Sequence, residues 1–109
     1  MTEAEIIERY QIPLEIIHEY EILKSYHATS YNGQDISYLS MLVTLHSIGF
    51  QQEEAMTYMR LLLEGEKTKL QRLQMLNQKR EEKLKKIHEQ EAQLDQLDYL
   101  RFQTKINQK

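Results

Sequence analysis

The feature that most constrains this chain is the stretch from Glu66 to Ile106, where leucines recur at coiled-coil spacing without a proline or a glycine. Leu63, Leu70, Asn77, Leu84, Glu91 and Asp98 occupy one core position of a heptad, and Leu73, Arg80, Ile87, Leu94 and Arg101 the other, with Leu76 and Leu97 beside the seam. A helix of about 40 residues is about 60 Å long, far beyond any core the remaining chain can supply, so homodimerisation is expected. The polar seam residues set its direction. In a parallel, in-register pair Arg80 would stack on its own copy. In an antiparallel pair centred between Leu84 and Ile87, Arg80 meets Glu91 and Asn77 meets Leu94. The same arrangement lays the basic block Lys79–Lys86 along the acidic stretch Glu89–Asp98. The expected dimerisation residues are therefore Leu70, Leu73, Asn77, Arg80, Leu84, Ile87, Glu91, Leu94 and Leu97.

Composition points to a small all-α protein: 109 residues, 28% charged and 40% hydrophobic, with three glycines and one proline. Without cysteine there are no disulfides, thiolate metal sites or thiol redox sensing. No stretch approaches the roughly 18 apolar residues that span a bilayer, and the opening MTEAEIIERY is acidic where a secretory signal is basic and then apolar. A cytoplasmic protein without membrane association is expected.

Helix punctuation recurs through the first 65 positions. Thr2 with Glu5 forms a capping box opening a helix that carries Ile6, Ile7 and Tyr10. After the turn Gln11-Ile12, Pro13 suits the first position of a second helix with Leu14, Ile16, Ile17 and Tyr20, and the two make a helix-turn-helix candidate. Asn32 with Asp35 caps a third helix from Gly33 to Ile48, which Gly49 ends in the left-handed position with Phe50 following. A fourth helix runs from about Gln52 to Leu63, presenting Ala55, Tyr58, Met59 and Leu62. Gly65 separates it from the long helix, giving a head over 1–65 and a dimerisation helix over 66–109.

The stretch Tyr31, Asp35-Ile36, Leu39, Leu45, Ile48-Gly49-Phe50 and Glu53-Glu54, preceded by Ile12-Pro13-Leu14-Glu15-Ile16-Ile17-His18-Glu19-Tyr20-Glu21, resembles the MerR family of bacterial transcription regulators over nearly the whole chain. The resemblance implies a winged-helix-like helix-turn-helix head followed by an antiparallel coiled coil, the direction the charges give on their own. It also implies a homodimer on a pseudo-palindromic operator in double-stranded DNA, with one recognition helix in each of two major grooves. Tyr20 and Glu21 match the end of that helix, whereas His18 and Glu19 stand where the family usually carries arginine and tyrosine. The wing is short, with Lys24 and His27 its positive groups, and no separate effector domain is expected after the coil.

Charge divides the chain unevenly. Met1 to Leu63 holds the bases Arg9, Lys24 and Arg60 against nine acids, a net of −6, and the remainder has a net of +3. Phosphate neutralisation supplies most non-specific affinity for DNA, so the groups available for DNA binding are Arg9, His18, Tyr20, Lys24, Tyr26, His27 and Tyr31. Tyr20 and Tyr31 have a second reading, packing between helices with the hydroxyl at the surface. His18, His27, His46 and His88 are too scattered for a metal spacing, and Lys79–Lys86 reads as a solvated coil face. No nucleophile elbow, phosphate loop or paired metal motif is present, so neither catalysis nor a cofactor is expected. Two functions fit: a compact MerR-like DNA-binding regulator, or a dimeric protein-interaction module that kept the fold and docks partners on its acidic, tyrosine-rich head.

Overall fold

The computed structural model describes residues 1–25 and 29–107, and among them every regular element is helical. The order is α1 (Glu3–Tyr10), α2 (Leu14–Lys24), α3 (Gly33–Ser47), α4 (Gln52–Glu64), a single 3-10 turn (Glu66–Thr68) and α5 (Lys69–Asn107). The chain divides into two compact units, Met1–Met75 and Leu76–Lys109.

Local chemistry sets the boundaries. The Thr2 hydroxyl accepts the Glu5 N–H at 3.3 Å and donates back to the Glu5 carboxylate at 3.2 Å, so the reciprocal box expected at α1 is replaced by a side-chain pair. Gln11 takes the left-handed conformation (φ 55°) and turns the chain into Ile12, which is buried. Pro13 lies just outside α2, not in its first turn. Its extended backbone (φ −61°, ψ 147°) makes it the cap, and its carbonyl accepts the N–H groups of Ile16 and Ile17. At α3 the box is complete: the Asn32 side chain accepts the Asp35 N–H and the Asp35 carboxylate accepts the Asn32 N–H, both at 2.9 Å. Gly49, at φ 99°, closes α3 as expected, its N–H donating to the His46 carbonyl and that of Phe50 to the Leu45 carbonyl. A second box, Gln51 with Glu54, opens α4.

The first unit owes its core to one face of each helix: Ile6 from α1, Ile16, Ile17 and Tyr20 from α2, Leu39, Leu42 and Leu45 from α3, and Ala55, Met56, Tyr58 and Met59 from α4. Phe50 meets Tyr58 edge to face at 6.0 Å between ring centroids. The start of α5 belongs to this unit. Buried Thr68 places its hydroxyl 2.6 Å from the Leu61 carbonyl and 2.9 Å from that of Gly65, and accepts from Arg72 Nε at 3.1 Å. The head therefore extends beyond Gly65 through the first turns of α5 to Met75. Residues 25 and 29–32 between α2 and α3 form no strand, and 26–28 lie outside the described residues.

The second unit is the remainder of α5, one uninterrupted helix to Asn107. Ile87, Leu94 and Leu97 are each about half exposed in the single chain, at 47, 56 and 55%. Leu84 is half-buried.

Candidate nucleic-acid interface

In a helix-turn-helix the second helix presents one face to its partner and packs the other on the core. The inner arc of α2 carries Ile16, Ile17, Glu19 and Tyr20, all buried. Its outer arc carries Leu14, Glu15, His18 and Ile22, all exposed, and these positions fall within about 100° of one another on a helical wheel.

Three consecutive residues of α2 carry hydrogen bonds to other parts of the first unit. Glu19, 5% exposed, places Oε2 at 2.7 Å from Nε2 of His46 in the last turn of α3. Its Oε1 is buried and has no hydrogen-bond partner among the described residues. Tyr20 donates its hydroxyl to Oδ1 of Asp35, in the first turn of α3, at 2.5 Å. Glu21 accepts from the Tyr31 hydroxyl at 3.3 Å. Tyr31 is held from the other side by the first residue: its N–H donates to the Met1 carbonyl at 2.6 Å, and its carbonyl accepts from the Met1 ammonium at 2.8 Å.

The expected DNA-binding residues thus separate into two groups. Arg9 and His18 are exposed, on α1 and on the outer arc of α2. Tyr20 and Tyr31 are buried at 2 and 3% exposure with their hydroxyls directed to carboxylates, which is the packing role, carried further inward than a hydroxyl left at the surface. Lys24 is half-buried, its ammonium 5.7 Å from the Tyr20 ring centroid and 5.5 Å from that of Tyr38, a cation–π placement that tethers its charge beside α2 and α3. Tyr26 and His27 lie outside the described residues. The pairing of Glu19 with His46 is not foreseen from the sequence. The available signal is Glu19 standing on the same helical arc as Ile16, where a carboxylate needs a partner.

The Tyr31 hydroxyl is pushed up to about 12, first by burial and then by the Glu21 carboxylate, which repels a phenolate and accepts the phenol's hydrogen bond, with Glu3 and Asp35 adding smaller repulsions. A tyrosine whose folded value exceeds its unfolded value of about 10 contributes stability that is complete below pH ~10 and disappears as pH rises through ~12. Alkaline unfolding of the wild type is therefore expected to be steeper over that interval than that of Tyr31→Phe. Parallel slopes in chemical denaturation at stepped pH would remove this role from Tyr31.

Electrostatically the first unit is acidic, with six basic and eleven acidic side chains through Met75. Three of those acids, Glu19, Glu21 and Asp35, are engaged with His46, Tyr31 and Tyr20. On the outer arc of α2 the single acid is Glu15, with no lysine or arginine beside it. Among the described residues there is no group of three or more His, Asp or Glu arranged to hold a metal, and no helix is long and apolar enough to cross a membrane. Compared with known proteins, the chain matches no family model, no curated protein and no solved structure.

Proposed function

We propose that the protein is a homodimeric, MerR-like DNA-binding regulator that uses α2 as its recognition helix in each of two half-sites, with the wing expected between α2 and α3 and an antiparallel pairing of α5. The observation that carries this reading is the construction of α2: a helix set off from α1 by a tight turn, bonded to the rest of the head through Glu19, Tyr20 and Glu21, with its opposite arc exposed. The turning inward of Glu19 also answers the electrostatic objection that an acid at that position raises, since the carboxylate lies against His46.

With so few cations on the head, base-edge contacts supply more of the affinity than phosphates do. Each phosphate neutralised contributes about −0.9 to the slope of log affinity against log salt. Arg9 and Lys24 from each protomer give a slope no steeper than about −4. The test is selection of genomic fragments by the purified protein at about 50 mM salt, followed by footprinting and a salt titration. Arg9→Ala is expected to reduce the slope by about 2 per dimer and to weaken all sites alike. Absence of any protected region, from a protein that is folded and dimeric, would sink the regulator reading.

A second reading is favoured by one observation, the lack of lysine or arginine on the outer arc of α2 in an acidic unit. On that reading the head docks a basic protein segment, and capture is weakened by salt with no DNA present.

A further inference from the structure

We infer that the outer arc of α2 recognises thymine methyl groups in the major groove, through Leu14 and Ile22. The inference rests on the proposal that α2 enters DNA, and it names the sequence chemistry that such a helix would select.

Leu14 and Ile22 are 43 and 58% exposed, although both lie on a helix whose other arc is fully packed. Single exposed apolar residues are ordinary, but these two share one narrow arc with His18 between them. The residues that read guanine most effectively, arginine and lysine, are missing from that arc. The major-groove edge of thymine presents a methyl group, the one apolar feature on the four ordinary bases there, and an aliphatic side chain is its natural complement. Glu15, at the same end as Leu14, is an acceptor suited to the cytosine amino group and ill suited to guanine. The arc therefore discriminates by methyl burial, which favours A·T pairs at the positions Leu14 and Ile22 reach, with one acceptor contact from Glu15.

Dimensions agree. Ile22 lies eight positions after Leu14, about 12 Å along the axis of a helix that runs along the major groove. With bases about 3.4 Å apart, the two side chains reach thymines about three to four steps apart in the same half-site. Because neither residue belongs to the core, either can be shortened without opening a cavity in it.

The experiment uses the full chain and the best duplex from genomic selection, with each thymine replaced in turn by deoxyuridine, which removes the 5-methyl group and leaves the hydrogen-bonding edge intact. Two thymines in each half-site are expected to lose about fourfold in affinity per methyl removed, the ratio that follows from ~0.8 kcal/mol per buried carbon. Ile22→Ala should abolish the thymine-to-uracil difference at one of those positions and Leu14→Ala at the other, while leaving the melting temperature near that of the wild type. Binding that is equal on thymine and uracil duplexes at every position would overturn the inference and leave the regulator reading standing. Failure to bind the unsubstituted duplex at low salt would overturn both.

Discussion

Exchanging Ile87 for aspartate is expected to convert the proposed α5 dimer into monomers, raising the dissociation constant at least about a hundredfold. In the antiparallel register proposed for α5, Ile87 meets Leu84 of the other chain on either side of the centre. An aspartate there places a charge in the most apolar layers of the seam, at a cost of at least ~3 kcal/mol. Sedimentation equilibrium measures the loss directly. Circular dichroism should show reduced helix content as the freed end of α5 frays, because a long, largely polar helix has little stability alone, while the melting transition of the first unit persists. The direction of pairing has its own check. Arg80→Glu should weaken the dimer by setting the introduced carboxylate of each copy against Glu91 of the other, and adding Glu91→Arg should restore it. In a parallel dimer the doubly exchanged protein would still stack like on like, and no rescue would occur. A variant Ile87→Asp that remains dimeric at micromolar concentration would remove the seam altogether.

The second large effect is expected at His46. Replacing it with alanine leaves the Glu19 carboxylate buried with neither oxygen paired, since Oε1 already has no hydrogen-bond partner among the described residues. Orphaning a buried charge costs about 3 kcal/mol, which for a unit of this size lowers the melting temperature by on the order of 15 °C. The reverse truncation is much milder. In Glu19→Leu the imidazole that loses its partner is about one-third exposed (31%) and can turn to water, while leucine fills the vacated apolar space. The double variant Glu19→Leu, His46→Leu should lie close to the wild type. Thermal melts of the three proteins decide the matter: equal losses for the two single variants would mean that the carboxylate finds solvent by another route.

The features legible in the sequence are those whose signals lie within a few residues of each other. The Asn32–Asp35 box, the left-handed Gly49 closure with Phe50, and the break at Gly65 each involve contacts between near neighbours in the chain, where residue type nearly dictates geometry. Thr2 and Pro13 show the limit of such signals, each taking a capping role that differs by one bond or one position from the expected one. The candidate site is less legible because its decisive bonds join distant residues. Tyr20 and Tyr31 carry the same phenol whether they face phosphate or carboxylate. Only the packing of α2 against α3 brings Asp35 to the first, and only the fixing of the first residues beside Tyr31 brings Glu21 to the second. Likewise Thr68 looks like any polar residue at a helix start until the Leu61 carbonyl is found above it. By residue type alone Glu19 is one more surface acid. Its place among Ile16, Ile17 and Tyr20 is visible on the helical wheel, but the identity of its partner, 27 positions away, is not.

The successive bonds made by Glu19, Tyr20 and Glu21 have a mechanical consequence. They end at His46, Asp35 and Tyr31, at opposite ends of α3 and in the segment before it. Three bonds to points spread from the segment before α3 to its last turn hold α2 at more than one place along α3. Removing one is expected to loosen the seating of α2 without releasing it. A surface carried on such a mounting meets its partner already aimed, and gives up less freedom of motion when it binds.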